Sequence, residues 1–162
     1  MKKLLLAVLL CASSGVWANA QYKATSICEF DYDAFNFCTQ ANLKKYQAAL
    51  KKQAPNFNTK YILLNVGSAK AIRYVAIDTQ DGLVIPLRDT ILGFKDEHGD
   101  LTGKPPKINY SINQPNLCIS GSIDAYRDAY DNIELCYTIE KDQFSKHGRN
   151  FTRLDIPKSL EN

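Results

Sequence analysis

Four cysteines, Cys28, Cys38, Cys118 and Cys136, constrain this chain most, because they follow a leader that directs it out of the reducing cytoplasm. Met1-Lys2-Lys3 is a short positive start, Leu4 to Ala12 is an almost unbroken apolar run, and Ala18-Asn19-Ala20 is a small-x-small cleavage site. Residues 1–20 therefore read as a signal peptide cut after Ala20, leaving 21–162 as one secreted domain. The apolar run is too short for a bilayer, whose hydrocarbon core takes about 20 helical residues. Cys11, the fifth cysteine, raises a rival reading of lipid attachment, but Leu9-Leu10 lacks the small residue expected before a lipidated cysteine. The plain exported form is the expectation, with a periplasmic or secreted destination; the two-lysine start favours a bacterial origin.

Removing the leader also removes Lys2 and Lys3, so the formal charge falls from +3 to +1. A chain this close to neutral has little to offer a phosphate backbone, and nucleic acid is not an expected partner. No later segment is apolar enough to span a membrane as a helix.

An even set of cysteines in an exported domain implies two disulfides, which four cysteines can connect in three ways. A metal or redox site is the rival. There is no Cys-x-x-Cys, and His98 and His147, the two histidines, lie in loop-like surroundings. No metal and no cofactor are expected.

Helix chemistry begins near Asp31 and Asp33, either of which is a plausible N-cap. From about Ala34 to Gln53 the residues Phe35, Cys38, Asn42, Tyr46, Ala49 and Leu50 recur at spacings of three or four, with Lys44, Lys45, Lys51 and Lys52 largely outside that stripe. Pro55 and Asn56-Phe57-Asn58 end the helix. The pattern then switches to strands. Tyr61–Val66 reads as a short buried strand, and Arg73–Thr79 and Leu83–Leu87 flank Gln80-Asp81-Gly82, a hairpin signal. Pro86 points to an edge or bulge. Thr90–Phe94 and the stretch at Leu101 flank a second turn. Ile108, Tyr110 and Ile112 alternate with polar residues, as do Leu117, Ile119 and Ile123, and Ile133, Leu135, Tyr137 and Ile139. The predicted fold is α+β: an N-terminal helix packed on an antiparallel β-sheet with two disulfides. The polar stretch 141–162 is expected to be loosely attached.

If the segments around Leu117 and Leu135 pair antiparallel about Arg127, Cys118 lies opposite Cys136 at disulfide range. Cys28 with Cys38 would then staple the segment before the helix onto its start. A helix-to-sheet pairing is the rival, and the local connectivity is preferred.

Chemistry is harder to place. Oxidised cysteines offer no thiolate nucleophile, no Gly-x-Ser-x-Gly occurs, and the glutamates Glu29, Glu97, Glu134 and Glu140 cannot be paired by spacing. The distinctive segment is 124–132, where Ala-Tyr-Arg-Asp is followed at once by Ala-Tyr-Asp-Asn. It lies between two strands, and Tyr126, Arg127, Asp128, Tyr130 and Asp131 are the candidate binding residues. Tyrosine brings contact area at low entropy cost and arginine a planar fork of donors, the pair most often dominating protein recognition. Asp124, Asp128 and Asp131 lack the glycine-centred spacing of a calcium loop. Lys146, Arg149, Arg153 and Lys158 form a basic counter-patch that could answer these aspartates. The expectation is a non-enzymatic protein binder of the cell envelope, an inhibitor or immunity protein acting on a lysozyme or other peptidoglycan hydrolase by inserting this loop. A small envelope enzyme or ligand-binding domain with a carboxylate cleft is the alternative.

Overall fold

The computed structural model describes residues 20–154. The expected leader up to Asn19, with Cys11, and the tail 155–162, with Lys158, lie outside the described residues.

The chain is mostly β, with one helix and two sheets. The first sheet is mixed and joins β1 (Ala24–Thr25), β4 (Leu83–Pro86), β3 (Tyr74–Asp78) and β2 (Tyr61–Asn65) in that order, β1 running parallel to β4. The second is antiparallel and runs β5 (Thr90–Ile91), β7 (Leu117–Ala125), β8 (Asp128–Lys141), β9 (Arg149–Leu154), with β6 (Lys107–Asn109) also on β7. The expectation of one sheet under a helix is thus corrected to three layers: helix, mixed sheet, antiparallel sheet.

Burial explains why the two sheets carry different sequence patterns. The helix α1 (Gln40–Lys52) lays Tyr46, Ala49 and Leu50 on one face of the first sheet, against Ile62, Val75, Ile77 and Val84. The opposite face, with Leu63, Ala76 and Ile85, packs on Leu117, Ile119, Ile123 and Leu135 of the second sheet. Both faces of β3 and β4 are covered, so every residue of each strand is buried and the sequence runs apolar without a period. The second sheet covers one face, so β7 and β8 alternate.

The helix is shorter than the 3.6-residue stripe suggests. Its N-cap is Thr39, whose hydroxyl accepts from the Asn42 N–H at 3.2 Å, and not Asp31 or Asp33. Asp33 instead accepts from the Phe35 N–H and pairs with Arg73, which commits residues 28–38 to a loop. Cys28–Cys38 closes that loop. Asn42, the polar interruption of the stripe, is buried and donates to the Asn36 carbonyl at 3.0 Å, tying the loop to the helix.

Pro86 is tolerated because β1 pairs only with Leu83 and Val84, leaving the proline past the end of β1. Gly82 has φ 74°, and a Cβ there would lie 1.8 Å from the Gln21 carbonyl oxygen, so the turn that brings β1 alongside β4 requires glycine.

The polar C-terminal stretch departs from the expectation of loose attachment. Arg149–Leu154 is a strand paired with β8 over six residues, from Cys136↔Leu154 to Lys141↔Arg149. Its arginines dock it onto the rest of the domain: Arg149 on the buried Asp78 and on Asp81, Arg153 on the buried Asp89. These are charge-assisted bonds to carboxylates, which hydropathy does not register. The two arginines of the basic counter-patch, Arg149 and Arg153, therefore answer Asp78, Asp81 and Asp89 of the domain body rather than the aspartates of 124–132.

Candidate functional site

Strands β7 and β8 form a long hairpin whose last pair is Ala125↔Asp128, so its tip is the two residues Tyr126 and Arg127. Arg127 adopts φ 65°, a left-handed conformation that costs a non-glycine residue roughly 1 kcal/mol or more and turns the chain within two residues. Tyr126 is 46% exposed, and the Arg127 guanidinium lies over its ring, 4.7 Å from the centroid.

The tip does not stand free. The Tyr126 ring packs at 4.8 Å on Tyr32, Tyr32 stacks on Phe30 at 5.7 Å, and the Arg88 guanidinium covers Phe30 at 5.5 Å. A ladder of three rings with a cation at each end thus joins the hairpin tip to the 28–38 loop and to the segment after β4. Cys28–Cys38 and the Asp33–Arg73 pair fix the loop that carries Phe30 and Tyr32.

Beneath Tyr32 and Tyr126 lies a cleft of about 300 Å³, floored by Leu87 and Phe151 and walled by Arg88 and Arg153. Asp89 is buried at its base, where Tyr137 Oη donates to Oδ2 at 2.8 Å and Arg153 donates through Nε to Oδ2 at 2.9 Å and through Nη2 to Oδ1 at 2.8 Å. Burial, then the charge of Asp89 and the bond to it, push the Tyr137 phenol far above its ordinary range. Burial and Asp89 also raise Tyr32, against the opposing effect of Arg88. Burial opposes the charge on Arg153, but the bonds and charge of Asp89 outweigh it and hold the guanidinium protonated. At neutral pH Tyr32 and Tyr137 therefore stay neutral and Arg153 stays cationic. Both oxygens of Asp89, the one carboxylate lining it among the described residues, are engaged.

The five candidate residues are not brought together as one exposed loop. Tyr126 and Arg127 form the tip. Tyr130 is 9% exposed and points into the core, where its hydroxyl donates to Asp128 at 3.3 Å and the Arg153 guanidinium lies 5.5 Å from its ring. Asp131 points to the other face and holds Lys95 at 2.7 Å, while Asn132 donates to the Lys95 carbonyl and accepts from the Lys95 N–H. The near-duplicated tetrapeptide thus divides into an exposed tip and a buried anchor, because residues 126–127 form the turn and a bulge at Asn132, where φ is 54° and the pairing shifts from Ile123↔Tyr130 to Gly121↔Ile133, sets Tyr130 on the core face.

Cys118 and Cys136 are bonded, with Cα atoms 4.0 Å apart in the register expected from a turn about Arg127. This bridge lies eight residues from Tyr126 along β7, roughly 26 Å of strand. It staples the base of the hairpin, whereas the tip is held by the aromatic ladder and by Lys95. Sequence reasoning missed Phe30, Tyr32, Arg88 and Asp89, and named Arg153 only as part of a basic counter-patch. The charged pair Arg88-Asp89 directly after a buried strand was a visible signal; the partners of Asp89 were not, since Tyr137 and Arg153 lie 48 and 64 residues on in sequence.

Among the described residues no helix is long and apolar enough to cross a membrane, and no group of three or more His, Cys, Asp or Glu side chains is placed to hold a metal ion. The two disulfides fit an oxidising compartment. Comparison with protein-family models, curated proteins and solved structures returned no match.

Proposed function

We propose that this protein is an exported binding domain of the cell envelope, acting in the periplasm or outside the cell as an inhibitor or immunity protein against a lysozyme or another peptidoglycan hydrolase. The observation that carries the reading is the tip itself: Tyr126, exposed and packed between Arg127 and Tyr32, on a strained two-residue turn. Tyr and Arg side chains held in place before binding lose little entropy on association, which is the physical basis of an anchor residue. The carboxylate-cleft alternative is less favoured, because Asp89 has both oxygens committed and is not poised to exchange a proton with a substrate.

The experiment is a panel of purified lysozymes and peptidoglycan amidases, each titrated with the protein and assayed on peptidoglycan. A stoichiometric complex with loss of hydrolysis is expected for one of them. The double variant Tyr126→Ala/Arg127→Ala should bind at least about tenfold more weakly, the loss of one anchor contact. No complex with any enzyme, or full affinity in the double variant, refutes the reading. Release of muropeptides by the protein alone would replace it with the enzymatic alternative.

A further inference from the structure

We infer that the cleft beneath the ladder is the seat for a carboxylate side chain, an Asp or Glu presented by the partner protein; this deepens the binding reading above and rests on it. Within the ladder, Phe30 has neighbours in Arg88 and Tyr32, and Tyr126 has neighbours in Tyr32 and Arg127. The cleft that Tyr32 and Tyr126 line presents ring edges, which carry the positive part of the aromatic quadrupole, and guanidinium donors. Both suit an anion.

The charge balance points the same way. Arg88 is exposed and forms no ion pair among the described residues, while Asp89 is already clamped by Arg153. Arg153, which lines the cleft, uses Nε and one Nη2 hydrogen on Asp89, so its remaining N–H donors are not spent on that carboxylate. A carboxylate entering between Arg88 and Arg153 meets two guanidiniums over an apolar floor of Leu87 and Phe151, where charge-assisted bonds are strongest. About 300 Å³ sits at the lower limit of small-ligand sites and holds one side chain.

The test titrates the protein with N-acetyl-glutamic acid amide and, in parallel, its glutamine counterpart, following the ring resonances of Tyr32 and Tyr126 by NMR. Saturable shifts with the glutamate probe, an affinity about tenfold weaker or more in Arg88→Met and partly restored in Arg88→Lys, and no saturation with the glutamine probe are expected. Equal response to both probes, or an unaltered Arg88→Met, overturns the inference. The variant Asp155→Asn/Glu161→Gln separates sources: tighter probe binding by about tenfold would mean that the chain's own tail fills the seat, which also overturns it. The enzyme panel keeps the two claims apart. If Tyr126→Ala/Arg127→Ala abolishes inhibition and Arg88→Met leaves it intact, the cleft inference fails and the binding reading stands. If no enzyme is bound, the binding reading fails whatever the probe does.

Discussion

Replacing Arg153 by methionine removes the cation from a carboxylate that cannot leave. Asp89 is 2% exposed, and after the change it keeps only the Tyr137 hydroxyl of its three hydrogen bonds. Breaking a buried pair from one side typically costs about 3–5 kcal/mol, because the remaining charge stays desolvated. Arg153 is itself 26% exposed, so water reaches part of the gap and the expected loss is about 2–4 kcal/mol. That corresponds to a fall in Tm of roughly 10 °C for a domain of this size. Urea unfolding followed by far-UV circular dichroism measures it without needing tryptophan, since the single Trp, Trp17, lies outside the described residues. The double variant Arg153→Met/Asp89→Asn should recover at least about half of the loss, because an amide costs far less to bury than an unpaired carboxylate and still accepts from Tyr137. A loss below about 0.5 kcal/mol in the single variant would mean that the pair does not hold β9. A double variant no better than the single would mean that the cost is lost packing of the arginine stem rather than an orphaned charge.

Asp78 makes a pH prediction with a definite sign. Burial pushes its carboxyl up, but bonds from Lys60, from the Gln80 N–H and from Arg149 together outweigh it and hold the group below its ordinary 3.8. A carboxyl depressed in the folded state contributes stability that is present above the unfolded value and lost as pH falls through the folded one. Unfolding free energy should therefore drop below about pH 4, and Asp78→Asn should flatten that slope while lowering stability at pH 7; an unchanged slope refutes the assignment. Thr39→Ala should cost about 1 kcal/mol in urea unfolding by removing the helix cap, whereas Asp31→Ala should cost close to nothing, and the reverse order would restore the longer helix. Reducing Cys28–Cys38 through the paired change Cys28→Ser/Cys38→Ser should lower stability by about 2–3 kcal/mol and raise amide exchange at Phe30 and Tyr32; exchange confined to the helix would separate the bridge from the ladder. Gly82→Ala should destabilise by more than 1 kcal/mol, with exchange rising first in β1, because the added Cβ meets the Gln21 carbonyl.

The chain's own letters determined what short-range chemistry can determine. Strand periods of two located β7 and β8, Asp81-Gly82 located the turn into β4, and symmetry about Arg127 placed Cys118 against Cys136. Each depends on neighbours within about twenty residues. Tertiary structure alone decided the split into two sheets, since a strand buried on both faces reads as an apolar run and does not say what lies on either side. It also decided the fate of Arg149–Leu154, whose polar letters suggest a solvated tail until Asp78 and Asp89 are seen waiting for its arginines. The site followed the same division: Tyr126 and Arg127 were legible as a turn rich in recognition residues, but Phe30, Tyr32, Arg88 and Arg153 are distant in sequence and meet only when the sheets pack. Stacking and ion pairing act across space at a few ångströms and leave no period in the sequence, so only the folded chain records them.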